Sequence, residues 1–147
     1  MINETVISFL SKSANEGFAR VSVASFAAQL DPTVEELAEI KTVVSEAVTN
    51  AIVHGYGDKN GVVHIRVRLF SDNSAGKVQI TVRDSGAGIP DIEKALEPCF
   101  TTGSEERAGM GFTIMQSFTD KFRIKSSVGR GTTVLMEKTV VRRNVKN

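Results

Sequence analysis

Three short stretches carry residue types that could do chemistry. In SEAVTNAIVH, residues 45–54, Glu46, Asn50 and His54 recur at i, i+4 and i+8. On a helix advancing about 100° per residue they line the border of an apolar stripe made by Ile40, Val43, Ala47 and Ala51. Such a row is either the polar rim of an amphipathic helix, with His54 near a C-terminal dipole, or a set of functional groups. In DSGAG, 84–88, Asp84 would accept a hydrogen bond from a ligand donor. Gly86 and Gly88 would let backbone approach that ligand. The alternative is an ordinary Asp-Gly turn. In GMGF, 109–112, glycines opening a helix would expose amide N–H groups to an anion, or simply form a pliant entry turn. Neither glycine stretch is a phosphate-binding GxxxxGK[ST] loop or a dinucleotide fingerprint.

The surrounding pattern predicts the elements that must position these groups. Glu4–Leu10 reads as a strand, and residues 15–30 as a helix with Phe18, Val21, Ser25 and Ala28 on one side. Asp31 and Pro32 suit the cap and first position of a second helix, running to about His54. VVHIRVRLF (62–70) alternates Val63, Ile65, Val67 and Leu69 against His64, Arg66 and Arg68 as a strand. VQITV (78–82) follows as its hairpin partner. From Arg83 to Gly111 the chain reads as a long loop with a short helical piece near Ile92–Leu96, a length that argues for function. A helix over Phe112–Phe118 and a last hairpin, Phe122–Ser126 with Thr132–Lys138, complete the order. This predicts an α+β two-layer sandwich, a mostly antiparallel mixed sheet with helices on one face. One domain over 1–138 and a basic tail over 139–147 are expected.

At 147 residues, 41% hydrophobic and 24% charged, the composition is that of a globular domain. A net charge of +1 gives no overall electrostatic footprint for nucleic acid. Cys99 is the single cysteine, so an internal disulfide and zinc-type spacing are excluded. With no apolar run near the ~20 residues of a membrane span and no basic leader, a cytoplasmic setting is expected.

Taken together, the helix-borne Glu and Asn, the strand ending in DxGxG, the long loop, GxG before a helix and GTT at 131–133 resemble the ATP-binding fold of gyrase-type, chaperone, histidine-kinase and mismatch-repair ATPases. SEAVTNAIVHGY, FTTGSEERAGMGFTIM and GTT are similar to the anti-sigma-factor serine kinases. NEGFAR (15–20), ASFAAQLDPT (24–33) and EIKTVVSEAVTNAIVHGY (39–56) resemble their sporulation branch. The resemblance implies ATP with Mg²⁺, a sporulation sigma factor as ligand, an anti-anti-sigma protein as serine substrate, and a homodimer. Residue by residue, it implies Glu46 as catalytic base and Asn50 as the Mg²⁺ ligand. Asp84 would read adenine, with Thr132 as a second contact and Gly86 and Gly88 beneath the purine. Gly109, Met110 and Gly111 would offer amides to phosphate from a lid spanning 98–111, with Arg107 neutralising charge. Arg20, Gly17 and the first helix would form part of the partner surface, or remain an exposed helix face.

Overall fold

The computed structural model describes residues 1–97 and 103–141, without side chains for 103–108. Its strands are β1 (Asn3–Leu10), β2 (Val62–Ser71), β3 (Ala75–Asp84), β4 (Lys121–Ser127) and β5 (Gly131–Val141). They form one sheet in the order β1-β2-β3-β5-β4. Every neighbouring pair is antiparallel, so the mixed element expected from sequence is absent among the described residues. The reason is connectivity: β2–β3 and β4–β5 are hairpins, and β5 returns alongside β3 in the opposite direction. Register lines up Ile65 with Val82 and Val134, and Val67 with Ile80 and Met136. These side chains are buried against the helical layer, as period-2 alternation requires.

That layer consists of α1 (Asn15–Ala27), α2 (Val34–Thr49), the short α3 (Ile92–Ala95) and α4 (Gly103–Ser117). On α1 the buried positions are Ala19, Val23, Ala24 and Ala27, not the side holding Phe18 and Val21, which are 53% and 59% exposed. Packing on α2 favours short alanines, because close helix approach leaves little room for larger groups. Phe18 instead meets Phe9 edge-on, with ring centroids 6.2 Å apart.

α2 starts two residues later than the Asp31–Pro32 signal suggested. Thr33 is its N-cap, accepting from the Glu36 amide at 3.0 Å while the Thr33 amide donates to Glu36 Oε1 at 2.9 Å. This reciprocal pair outcompetes a lone aspartate cap. Asp31 adopts a left-handed φ of 54° and closes the 3₁₀ turn Ala28–Leu30. Beyond Thr49 the helix widens into a π-helical segment, Asn50–Tyr56. The α-periodic row therefore holds from Glu46 to Asn50, and His54 follows on a wider turn.

β5 continues through Val141 beside β3, with Val140 fully buried. Residues 139–141 thus belong to the sheet rather than to a tail. The end of β5 is tied to α2: Glu36 Oε2 accepts from the Val141 amide at 3.0 Å, and Lys138 pairs with Glu39.

Candidate functional site

A cavity of about 420 Å³ opens between the helical layer and the end of the sheet. The π-helical segment supplies Asn50, His54 and Gly55, and the strand ends supply Asp84, Thr132 and Val134. The loop after β3 contributes Gly88, Ile89 and Pro90, and Phe112 of α4 closes one wall. The volume lies in the range of small-ligand sites, and a mostly apolar wall with a few polar groups is their usual character.

Asp84 is the polar anchor. Burial in β3 leaves it 6% exposed and pushes its carboxyl above the usual value of 3.8; hydrogen bonds from the Gly86 and Thr132 amides offset this only partly. The Gly86 bond is 2.9 Å long. The carboxyl lies so close to the π-helical segment that a Cβ on Gly55 would stand 2.9 Å from its Cγ. Room for the acid at this depth therefore depends on Gly55.

The DSGAG glycines act differently from the sequence expectation. Their close neighbours are the protein's own peptides. A Cβ on Gly86 would fall 2.1 Å from the Gly55 carbonyl oxygen, and one on Gly88, whose φ is +79°, 2.2 Å from the Ser127 carbonyl oxygen. The Ala87 amide donates to Gly55 O at 2.8 Å, and the Gly129 amide to Ala87 O at 2.7 Å. Tyr56 completes the seam, its hydroxyl accepting from the Ser85 amide at 2.7 Å and donating to Val62 O at 2.6 Å. Gly88 lines the cavity and Gly86 braces it from behind.

Asn50 presents a buried Nδ2 with no hydrogen-bond partner among the described residues, a group whose desolvation is uncompensated. One helical turn earlier lies Glu46, off the cavity wall. Burial raises its carboxyl above the usual 4.5, and the neighbouring Glu16 charge raises it further. Glu16 is itself engaged by Arg20 at 2.9 Å and by the Ser45 hydroxyl. Gly111 rests on both site residues: a Cβ there would lie 2.9 Å from Glu46 Oε1 and 3.2 Å from Asn50 Nδ2.

The GMGF expectation is corrected. α4 begins at Gly103, because SEERA between the glycines supplies good helix formers. Gly109, Met110 and Gly111 thus sit within the helix, their amides in its ladder and not at an open end. Met110 is 55% exposed, while Gly109 packs near the Glu97 and Ala95 carbonyls. Arg107, Cys99, Thr101 and Thr102 fall outside the residues whose side chains are described. Gly55, Ile89 and Phe112 are wall residues that the sequence reading did not assign to the site, and His54, for which a helix-end role and a functional one were both open, also lies on the wall. The signal for Ile89 was present, an apolar residue directly after a glycine-rich turn.

A family model for the histidine kinase-like ATPase domain matches residues 10–138. The anti-sigma F factor of Geobacillus kaustophilus is 58% identical over 144 residues, covering 97% of this chain and 96% of that protein. That of Thermoanaerobacter sp. strain X514 is 57% identical over 137 residues, 92% of this chain and 93% of the other. The chain belongs to the anti-sigma F factor family. The chain itself carries a histidine kinase-like ATPase domain, and its α+β sandwich agrees with that class. Solved structures share the fold at low identity. The RsbU and RsbW domains of a Mycobacterium tuberculosis protein align with a TM-score of 0.66 at 18% identity, covering 99% of this chain and 34% of that one. A blue-light activated histidine kinase of Erythrobacter litoralis gives 0.57 at 23%, covering 84% and 41%.

Proposed function

We propose that this anti-sigma F family member binds ATP in the cavity, transfers its terminal phosphoryl group to a serine of an anti-anti-sigma protein, and holds a sporulation sigma factor when nucleotide is bound. The observation that carries the reading is Asp84, a carboxylate buried at the end of an apolar cavity with room for a ring beside it. It would accept from the adenine exocyclic amine, with Thr132 as the neighbouring contact. Guanine offers a carbonyl there and would leave the acid unpaired.

Phosphoryl transfer depends mostly on positioning and charge neutralisation. Mg²⁺ supplies that neutralisation when bound, and it takes few protein ligands when phosphates provide the rest. Asn50 fits such a role, since its buried Nδ2 lacks a protein partner among the described residues and its oxygen brings no repulsion toward phosphate. A half-turn of the carboxamide exchanges its O and N, so either atom can face the cavity. Among the described residues no cluster of three acidic, histidine or cysteine side chains could hold a metal, so a nucleotide-borne ion suits the site better than a resident one. Glu46 would take the proton of the incoming serine hydroxyl. Its raised pKa makes it a stronger base than an exposed glutamate. Gly111 lies against this carboxylate, so a shift of α4 would change access to Glu46. Arg107 is assigned to charge neutralisation near the terminal phosphate.

A nucleotide-dependent choice between two protein ligands follows if each prefers a different α4 position. We assign Arg20, Gly17 and the rest of α1 to part of that protein-binding surface, and propose that the chain acts in the cytoplasm as a homodimer. Mixing the purified protein with labelled ATP, an anti-anti-sigma protein and a sigma factor tests the scheme. Label on a serine of the former and ATP-dependent retention of the latter are expected. Retention without transfer would reduce the protein to a binding module, and failure of both would overturn the proposal.

A further inference from the structure

On the opposite face of the same sheet end lies a second, shallower cavity of about 200 Å³. Side-chain alternation explains why it is chemically distinct. Asp84 and Thr132 direct their side chains toward the helical layer, and their neighbours Arg83 and Thr133 project to the open face. Arg83 and Lys125 both pair with Thr133 in the register, one from each side. The β4–β5 turn adds Arg130, and Ser85 and Ser127 complete the lining. That turn is held against the end of β3 at Gly131, where a Cβ would fall 2.1 Å from the Asp84 carbonyl oxygen.

None of the three cations forms an ion pair among the described residues. Elsewhere on the open face Arg66 and Arg68 pair with Glu4 and Lys77 with Glu137, while Arg123, farther along β4, also makes no ion pair among the described residues but lies outside this cavity. Isolated charges on a strand edge can serve only solubility. Three of one sign converging on a concavity, with hydroxyl donors between them, make a more specific arrangement. Arg83 and Lys125 stand two strand spacings apart, roughly 10 Å, so a tetrahedral anion over Thr133 could accept from both at once. A guanidinium fork favours phosphate geometry in particular.

We infer that Arg83, Lys125, Arg130 and Thr133 form a binding site for a phosphate dianion, separate from the nucleotide cavity and divided from it by one thickness of sheet. The ligand is inorganic phosphate or the phosphoryl group of a phosphate ester. Asp84 and Thr132 belong to the lining of both cavities.

Amide NMR titration of the full chain with inorganic phosphate, against chloride at equal ionic strength, tests the site. Saturable shifts centred on Ser85, Lys125, Arg130 and Thr133 are expected, and these residues report the open face independently of Asn50, His54 and Phe112 in the other cavity. Arg83→Gln and Arg130→Gln should each weaken binding about tenfold, with thermal melting unchanged. A parallel titration with O-phosphoserine separates the sources: equal or weaker affinity assigns free phosphate, and tighter binding assigns a phosphate ester. Shifts no larger than those with chloride, or undiminished when both arginines are replaced, would overturn the inference.

Discussion

Replacing Asp84 by Asn keeps the shape of the side chain while removing the charge and half of its accepting capacity. The carboxyl is 6% exposed, and its protein donors, the Gly86 and Thr132 amides, leave acceptor capacity for a ligand amine. A hydrogen bond to a charged acceptor contributes roughly 1.5–3 kcal/mol. Asp84→Asn should therefore weaken ATP binding roughly 10- to 150-fold in calorimetry, with a smaller preference for ATP over GTP. Stability of the unliganded protein should move the other way. A carboxyl whose folded pKa is raised above 3.8 lowers stability as pH climbs from its unfolded value through its folded one, because the folded state holds the proton longer. The variant lacks that loss, so its melting temperature at neutral pH should equal or exceed that of the parent. Affinity within about threefold of the parent, with ATP preference intact, would refute the adenine assignment; a folded variant with raised melting temperature excludes misfolding as the explanation.

Glu46→Gln should abolish transfer to protein serine in single-turnover assays while ATP affinity persists; retained transfer would remove Glu46 from the chemistry. In the parent, transfer should rise with pH through a value above the ordinary 4.5, since burial and Glu16 hold the proton on Glu46, and that acid limb should vanish from any residual activity of the variant. Asn50→Ala should weaken ATP binding in the presence of Mg²⁺ more than in its absence, and equal losses would contradict a ligand role. Gly55→Ala places a methyl 2.9 Å from the Asp84 carboxyl; overpacking of this sort costs about 1–3 kcal/mol, so denaturant midpoints should fall and ATP affinity with them. An unchanged midpoint would show that Asp84 can move aside.

The strands were the most legible part of the sequence. Val63, Ile65, Val67 and Leu69 alternate without interruption, and all four are fully buried. Strand ends were less so: β3 gains Gly76, Lys77 and Arg83 because β2 and β5 both offer backbone partners there, and Ala75 and Asp84 because β5 does, which side-chain pattern does not report. The start of α2 was written as TVEE, a capping box from Thr33 to Glu36, but the Asp-Pro pair before it is the more conspicuous signal. Asn50, Asp84 and Thr132, far apart in the chain, line one cavity, while Glu46 sits one helical turn from Asn50 and off that wall. The π-helical widening at Asn50 was not legible, since nothing in NAIVHGY breaks a 3.6-residue period. Nor were the tasks of Gly55 and Gly86, each of which answers to a neighbour some thirty residues away.

The seam between Gly55, Gly86, Gly88 and Ser127 is made of main chain against main chain. Side chains can drift by substitution and re-form their contacts, but peptide groups at this distance have nothing to exchange. The Asp84 end of the cavity is thereby fixed as a mould, with no room for an added carbon at Gly55, Gly86 or Gly88. The other end is built differently, with α4 resting on Glu46 and Asn50 through Gly111. Under the proposed function, substitutions at that end would change transfer rate and partner preference without altering which nucleotide is accepted.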